Sequence, residues 1–241
     1  MEERKFDKSR FVGSDSISTL IGLAMMLYSI PRECAKEVEA LVSVPGMGEF
    51  EREHQAIKMW GRDGVKAKCL LLTGQGVKEP FENPTRDELL KPPHNLSIDK
   101  LEGIHWQDGA RWTNDQARWV VEMAGELGGF GSLAVFTSPY HILRTCMGFV
   151  KAFFDKTGSL EDVPVIIPAP ALVAPTRIIP NGDYDGWEAV AGELERISKY
   201  EQFGLREGEA GEGWIVTLDQ MKEYLDILWE SGRLQALMEG C

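Results

Sequence analysis

Four short apolar runs constrain this fold more than anything else in the chain: ALVSV (Ala40 to Val44), KCLLLT (Lys68 to Thr73), SLAVFT (Ser132 to Thr137) and VPVIIP (Val163 to Pro168). Each has the length of a strand, is nearly unbroken by polar residues and is bounded by Gly, Pro or Ser. A strand with one wet face alternates polar and apolar residues. A run without alternation is covered on both faces, which is the condition of a parallel sheet. GIHW (Gly103 to Trp106) is a weaker fifth candidate.

Between these runs apolar residues recur at helical spacing. Phe50, Ile57, Trp60 and Gly61 share one face, Ala117, Val120, Val121 and Ala124 a second, and Leu143, Cys146, Met147, Val150, Phe153 and Phe154 the strongest stripe of all. Strands alternating with helices predict a three-layer α/β/α sandwich around a mostly parallel sheet of about five strands, joined by right-handed crossovers. The reading is one domain over residues 1–241, with a helical segment at 1–38 and the α/β core at 39–170. Helices follow at 182–241, near Trp187 to Tyr200 and Leu218 to Leu237, with the loop GLREGEAGEG between them. Residues 76–103, with four prolines and a Thr85/Glu88 capping-box pattern, form an insertion or lid on the core.

The 241 residues suffice for a substantial core. A net charge of −12 argues against general binding to nucleic acid or acidic membranes. The most apolar N-terminal stretch, Leu20 to Ile30, is too short to span a bilayer. The four cysteines are scattered and show no metal-type pairing with histidine. Cys69 and Cys146 fall in apolar runs and read as buried free thiols, a pattern that suits a reducing cytoplasm.

Ligands of an open parallel sheet sit outside the carboxyl ends of its strands. Four stretches qualify. VPGMGEFERE follows the first run: Gly46 and Gly48 permit close backbone approach, the next helix would aim its amides at an anion, and Arg52 lies in its first turn. His54, on the apolar face of that helix, reads as a partly buried structural residue. LTGQG offers Thr73 and Gly74 either as a ligand wrap or as an ordinary turn. HWQDGARWTNDQA carries Thr113 and Gln116 as a capping box, and leaves Asp108, Asp115, Trp106 and Trp112 as possible ligand contacts.

The fourth stretch is VFTSPYHILR. Ser138 suits an N-cap and Pro139 the first helical position. His141 lies roughly 175° from the centre of the apolar stripe and Arg144 roughly 115° away, so neither belongs to the core face of this helix. The positive end of the helix dipole favours a neutral imidazole, able to act as a base, and Arg144 offers a fork for phosphate or carboxylate. A solvated helix start is the competing explanation.

The run VFTSPYHILRT resembles the hallmark of the YdcF/SanA/ElyC-type family, a domain of unknown function, through Thr137, Ser138, Tyr140, His141 and Arg144. The stretch from Glu39 to Gly76 resembles that family's Gly-rich loop, its Arg-x-x-x-Ala step (Arg52, Ala56) and its second strand with a Gly-containing turn. RWTNDQARWV resembles a further block, matched at Thr113 and Ala117, with Asp115 and Gln116 where the family has Glu and Asn. Gln107, Ala110 and Trp112 depart from its pattern. The resemblance covers roughly residues 38 to 170 and implies a Rossmann-like fold with a pocket at the strand ends. It also implies a nucleotide-like or S-adenosylmethionine-like ligand. On this reading the protein is a small-molecule transferase or hydrolase using His141 and Arg144. The alternatives are a non-catalytic ligand-binding or regulatory module on the same fold, and a structural partner protein using its acidic helical tail.

Overall fold

The computed structural model describes residues 15–46, 49–74, 83–110, 112–174, 176–179, 184–202 and 213–241. Helix α1 (Asp15–Ser29) buries Leu20, Leu23 and Leu27, and a 3-10 turn (Arg32–Lys36) leads into β1 (Ala40–Ser43). There follow α2 (Phe50–Trp60), β2 (Cys69–Leu72), two short helices α3 (Arg86–Leu89) and α4 (Ile98–Glu102), β3 (Ile104–Trp106), α5 (Thr113–Glu126) and β4 (Ser132–Thr137). A second 3-10 turn (Pro139–His141), α6 (Ile142–Thr157), β5 (Val165–Pro170), α7 (Gly186–Gln202), α8 (Leu218–Glu230) and α9 (Arg233–Glu239) complete the described chain.

The five strands form one wholly parallel sheet in the order β3-β2-β1-β4-β5, with helices on both sides. This is the expected Rossmann-like α/β architecture. Every residue of β1, β2 and β4 is buried, which accounts for their unbroken apolar runs. Burying one such Leu, Val or Phe side chain contributes about 1.5–3 kcal/mol. Helix α2 packs on β1, β2 and β4, while α5 and α6 lie side by side and α6 also covers β4 and β5.

Several boundaries differ from the sequence expectation. The last strand starts two residues later than its apolar run and includes Pro168 and Pro170. It is an edge strand paired only with β4, so a residue without an N–H is tolerated there. The single helix expected from 218 to 237 is two: Gly232, at φ 72°, takes the left-handed conformation that breaks it. The Thr85/Glu88 capping box is present, with both halves formed at α3. Residues 203–212, which hold nearly all of the expected loop, and part of the 76–103 insertion lie outside the described residues.

The cysteine reading needs one correction. Cys69 and Cys146 are free and buried, and burial pushes both thiols up to about 12, so neither is a ready nucleophile. Cys34, however, forms a disulfide with Cys241, 207 residues away. The scatter of cysteines along the chain concealed a pairing that only the packing of α9 near the first 3-10 turn creates, and the argument for a reducing compartment loses that support. Among the described residues no helix is long and apolar enough to cross a membrane.

Candidate functional site

The chain leaves β1 toward β2 on one side and reaches β4 on the other, so the strand order reverses between β1 and β4. Loops diverge at such a point and leave a crevice. A cavity of about 240 Å³ lies there, lined among others by Gly46, Arg52, Thr113, Gln116, Tyr140, His141 and Arg144. With Trp112, which also lines it, eight of the sequence candidates therefore meet around one space.

On one side of this cavity is a buried polar knot that includes Glu49, a residue not singled out in the sequence. Glu49 occupies the N-cap position of α2 and is 1 % exposed. Its carboxylate accepts from Arg52 Nη2 at 2.6 Å and Nε at 3.0 Å, from the Tyr140 hydroxyl at 2.5 Å and from the Ser138 hydroxyl. Arg52 also donates through Nε to Ser138 at 2.7 Å and through Nη1 to the Val44 carbonyl at 3.3 Å. Glu49 makes no cap bond to the α2 amides; the side chains of Arg52, Ser138 and Tyr140 hold the protein's own carboxylate at the end of the helix where an incoming anion was expected. A Cβ on Gly46 would stand 3.1 Å from Arg52 Nη1, so the glycine gives the guanidinium its room. Burial raises the Tyr140 phenol well above its ordinary range, keeping it a donor.

On another side stands His141. The 3-10 turn, not α6 itself, carries it, and Ser138 forms no side-chain cap because its hydroxyl is committed to Glu49 and Arg52. His141 is only 6 % exposed; the solvated-start alternative fails because α7 covers it. Glu193 of α7 approaches within 3.0 Å of His141 Nδ1, and Arg144 donates to the same carboxylate through Nε at 2.6 Å and Nη2 at 3.2 Å. Arg196 adds a contact at 2.7 Å. Arg144 is therefore paired within the protein, not an open fork.

Burial, reinforced by the Arg144 guanidinium, lowers the His141 imidazole to about 4, so the ring is neutral; the cause is enclosure and charge more than the helix dipole. Burial pushes the Glu193 carboxyl up, but His141 and the arginine more than reverse this and hold it well below the usual carboxylate range. With Arg144 and Arg196 both against it, Glu193 is ionised whatever the state of the imidazole. Nδ1 faces two opposite demands: the Glu193 carboxylate, 3.0 Å away, can only accept and calls for a proton there, while Arg144 Nη2, 2.8 Å away and with a second N–H left beside its bond to Glu193, can only donate. With the proton on Nδ1, Nε2 carries the lone pair and lies 3.3 Å from both the Thr113 hydroxyl and Arg144 Nη2.

The remaining candidates play other parts. Thr113 is the first residue of α5, not its cap; Asp115 accepts from the Trp112 N–H at 3.2 Å and closes the helix start in place of Gln116. Gln116 is freed to donate to the carbonyls of Gly74, at 3.3 Å, and Pro45, at 3.4 Å. The Gly74 N–H donates to the Gln107 side chain at 3.1 Å, so both polar groups of that glycine are occupied and it wraps no ligand. Thr73 is buried and donates to the Ser43 carbonyl at 2.6 Å, stitching β2 to β1. Thr137 is buried with no hydrogen-bond partner for its hydroxyl, and Asp108 is exposed away from the cavity lining. Gly48 lies outside the described residues. Trp106 donates to the Pro84 carbonyl at 3.1 Å, whereas Trp112 lines the cavity 6.4 Å from Trp214. His54 is half-buried, 5.3 Å from the ring of His94, in keeping with a structural role.

Sequence reasoning missed Glu49, Glu193, Arg196, Tyr184, Tyr200 and Trp214. A signal for Glu193 exists: Ala189, Ile197 and Tyr200 form the buried stripe of α7, and Glu193 sits within that stripe at helical spacing. A carboxylate on a buried stripe requires a cation partner. Around the cavity, among the described residues, three guanidinium groups face two carboxylates, one net positive charge in a chain of net charge −12. No group of three or more His, Cys, Asp or Glu among the described residues is placed to hold a metal ion. Neither a scan of protein families nor a search of curated proteins gives a match to this chain.

Proposed function

We propose that the protein is a hydrolase or transferase acting on a small, ring-bearing anion of the nucleotide type, with His141 as the general base. The observation that carries this reading is the Glu193–His141 pair: an ionised, buried carboxylate 3.0 Å from Nδ1 of a neutral, cavity-lining imidazole whose other nitrogen lies 3.3 Å from the hydroxyl of Thr113, itself a lining residue. A base of this kind needs its tautomer fixed and its lone pair presented to the substrate. Glu193 positions; His141 takes the proton. Net positive charge favours an anion over the sulfonium of an S-adenosylmethionine-like ligand. Trp112, Tyr184, Tyr200 and Trp214 supply faces for a flat ring. A cavity of about 240 Å³ suits one ring with an anionic group more than a dinucleotide. Assignment to the YdcF/SanA/ElyC type belongs to the same proposal, supported by the placement of Tyr140, His141 and Arg144 around the cavity.

Thermal melts of the protein with nucleoside mono-, di- and triphosphates and with S-adenosylmethionine, followed by product analysis of each stabilising compound, test the reading. A nucleoside phosphate is expected to raise Tm and to be converted. His141→Gln, neutral and without a basic nitrogen, is expected to preserve folding and to lower kcat/KM by about 10²–10⁴-fold. Stabilisation without conversion would instead make the protein a binding module, and full turnover by His141→Gln would remove the base.

A further inference from the structure

Thr113 supplies the one aliphatic hydroxyl among the described residues that line the cavity. Ser138, the nearest competitor, is fully buried with its oxygen held between Glu49 and Arg52. The Thr113 hydroxyl stands 3.3 Å from His141 Nε2, and His141 Nδ1 stands 3.0 Å from Glu193. A hydroxyl, an imidazole and a carboxylate in series form the arrangement that makes an alcohol nucleophilic: the ring accepts the alcohol's proton while the carboxylate stabilises the resulting imidazolium. Thr113 and Asn114 also begin α5, a helix of 14 residues, and the N–H groups at the first two positions of a helix have no carbonyl partner in a preceding turn. Those donors, with the positive end of the helix dipole, sit beside the oxygen that would attack.

We propose that Thr113 is a covalent nucleophile and that the substrate is a phosphodiester or phosphoanhydride, phosphorylating Thr113 in the first half of the reaction. The proposal rests on the reading of His141 as a base. One negative charge per diester matches the one net positive charge of the cavity. As the Thr113 Oγ1–phosphorus bond forms, the hydroxyl proton passes to His141 Nε2. The bond from phosphorus to the leaving oxygen breaks, and that oxygen takes the proton from the imidazolium. Water then attacks phosphorus with His141 again accepting a proton, the phosphorus–Oγ1 bond breaks, and Thr113 regains its hydrogen. Nothing is oxidised or reduced, and the net change is hydrolysis of one phosphoryl–oxygen bond. An alcohol in place of water gives transfer.

Methyl 4-nitrophenyl phosphate, a singly charged diester with one flat ring, is the probe. Wild-type protein is expected to release 4-nitrophenolate and to carry one methyl phosphoryl group, located at Thr113 by tandem mass spectrometry of the quenched reaction. Thr113→Val should cut release by about 100-fold or more and carry no adduct, with its Tm and its thermal shift by the probe retained. Thr113→Ser should restore the adduct. Glu193→Gln should slow release and move the acid limb of the pH–rate profile lower, since the carboxylate raises the His141 pKa. Release by Thr113→Val at the wild-type rate, or an adduct only elsewhere, overturns the nucleophile but leaves His141 as a base activating water directly. Wild-type protein inert to this diester and to every nucleoside phosphate overturns both.

Discussion

The imidazole of His141 meets enclosure and a neighbouring guanidinium, and both withhold a proton from it. In the unfolded chain the ring takes up a proton near its ordinary value of 6.5, but in the fold not until about 4. Between these values the unfolded state holds the extra proton, so the fold loses stability as pH falls through the window and feels no penalty above it. The difference corresponds to about 3 kcal/mol at 1.36 kcal/mol for each tenfold step. Glu53 runs the other way. Burial lifts its carboxyl from 4.5 to about 7, so the folded state holds that proton and this contribution is lost as pH rises toward 7. A bare stability profile therefore mixes opposed titrations, the depressed carboxyl of Glu193 adding to the loss on the acid side. Urea unfolding of wild type and His141→Gln at pH 7 and pH 4 separates them: wild type is expected to lose about 3 kcal/mol more than the variant. Equal losses would mean that the ring is readily protonated inside the fold. Off-stripe placement of His141 and Arg144 was legible in the sequence as an angle on a helical wheel. That both would be enclosed was not, because the covering residues arrive on α7, about fifty positions later in the chain.

Elements explain why some candidates frame the site without entering it. At the end of β2, a Cβ on Gly74 would stand 2.1 Å from the Gln107 carbonyl oxygen and 2.7 Å from its carbon. Backbone atoms cannot swing aside, so Gly74→Ala must push the ends of β2 and β3 apart. The expected cost is about 2 kcal/mol or more, read as a lowered urea midpoint with unchanged slope. Dissociation of Gln116 from Gly74 and Pro45 would accompany it. Unbroken apolar runs made the strands and their parallel pairing visible in the sequence, because double-sided burial leaves no room for alternation. Capping contacts were legible where both partners are local, as at Thr85 and Glu88. They misled where tertiary partners outbid the local ones, as Ser138 and Gln116 show. Glu49 escaped notice for the same reason: nothing in the stretch from Pro45 to Arg52 reveals that Ser138 and Tyr140 will converge on it.

At the scale of the molecule, the Cys34–Cys241 disulfide ties the first 3-10 turn to the residues that follow α9. A closure spanning 207 residues restricts the unfolded chain by up to about 5 kcal/mol in the chain-entropy description. Dithiothreitol, or Cys241→Ser, is expected to lower Tm by several degrees while leaving turnover at moderate temperature unchanged, since neither cysteine lines the cavity. An unshifted melting curve on reduction would show that the bond adds no stability. The site itself draws on segments scattered from Pro45 to Ile215, and its carboxylate comes from outside the strand-and-helix repeat that builds the sheet. On a translating ribosome β5 is made before α7, so all five strands precede the carboxylate that faces His141. A nascent chain paused between the two would hold every strand and yet lack both the Glu193 carboxylate and the α8 helix whose Tyr224 bonds the backbone at Pro164 and Ile166, leaving site and sheet alike unfinished.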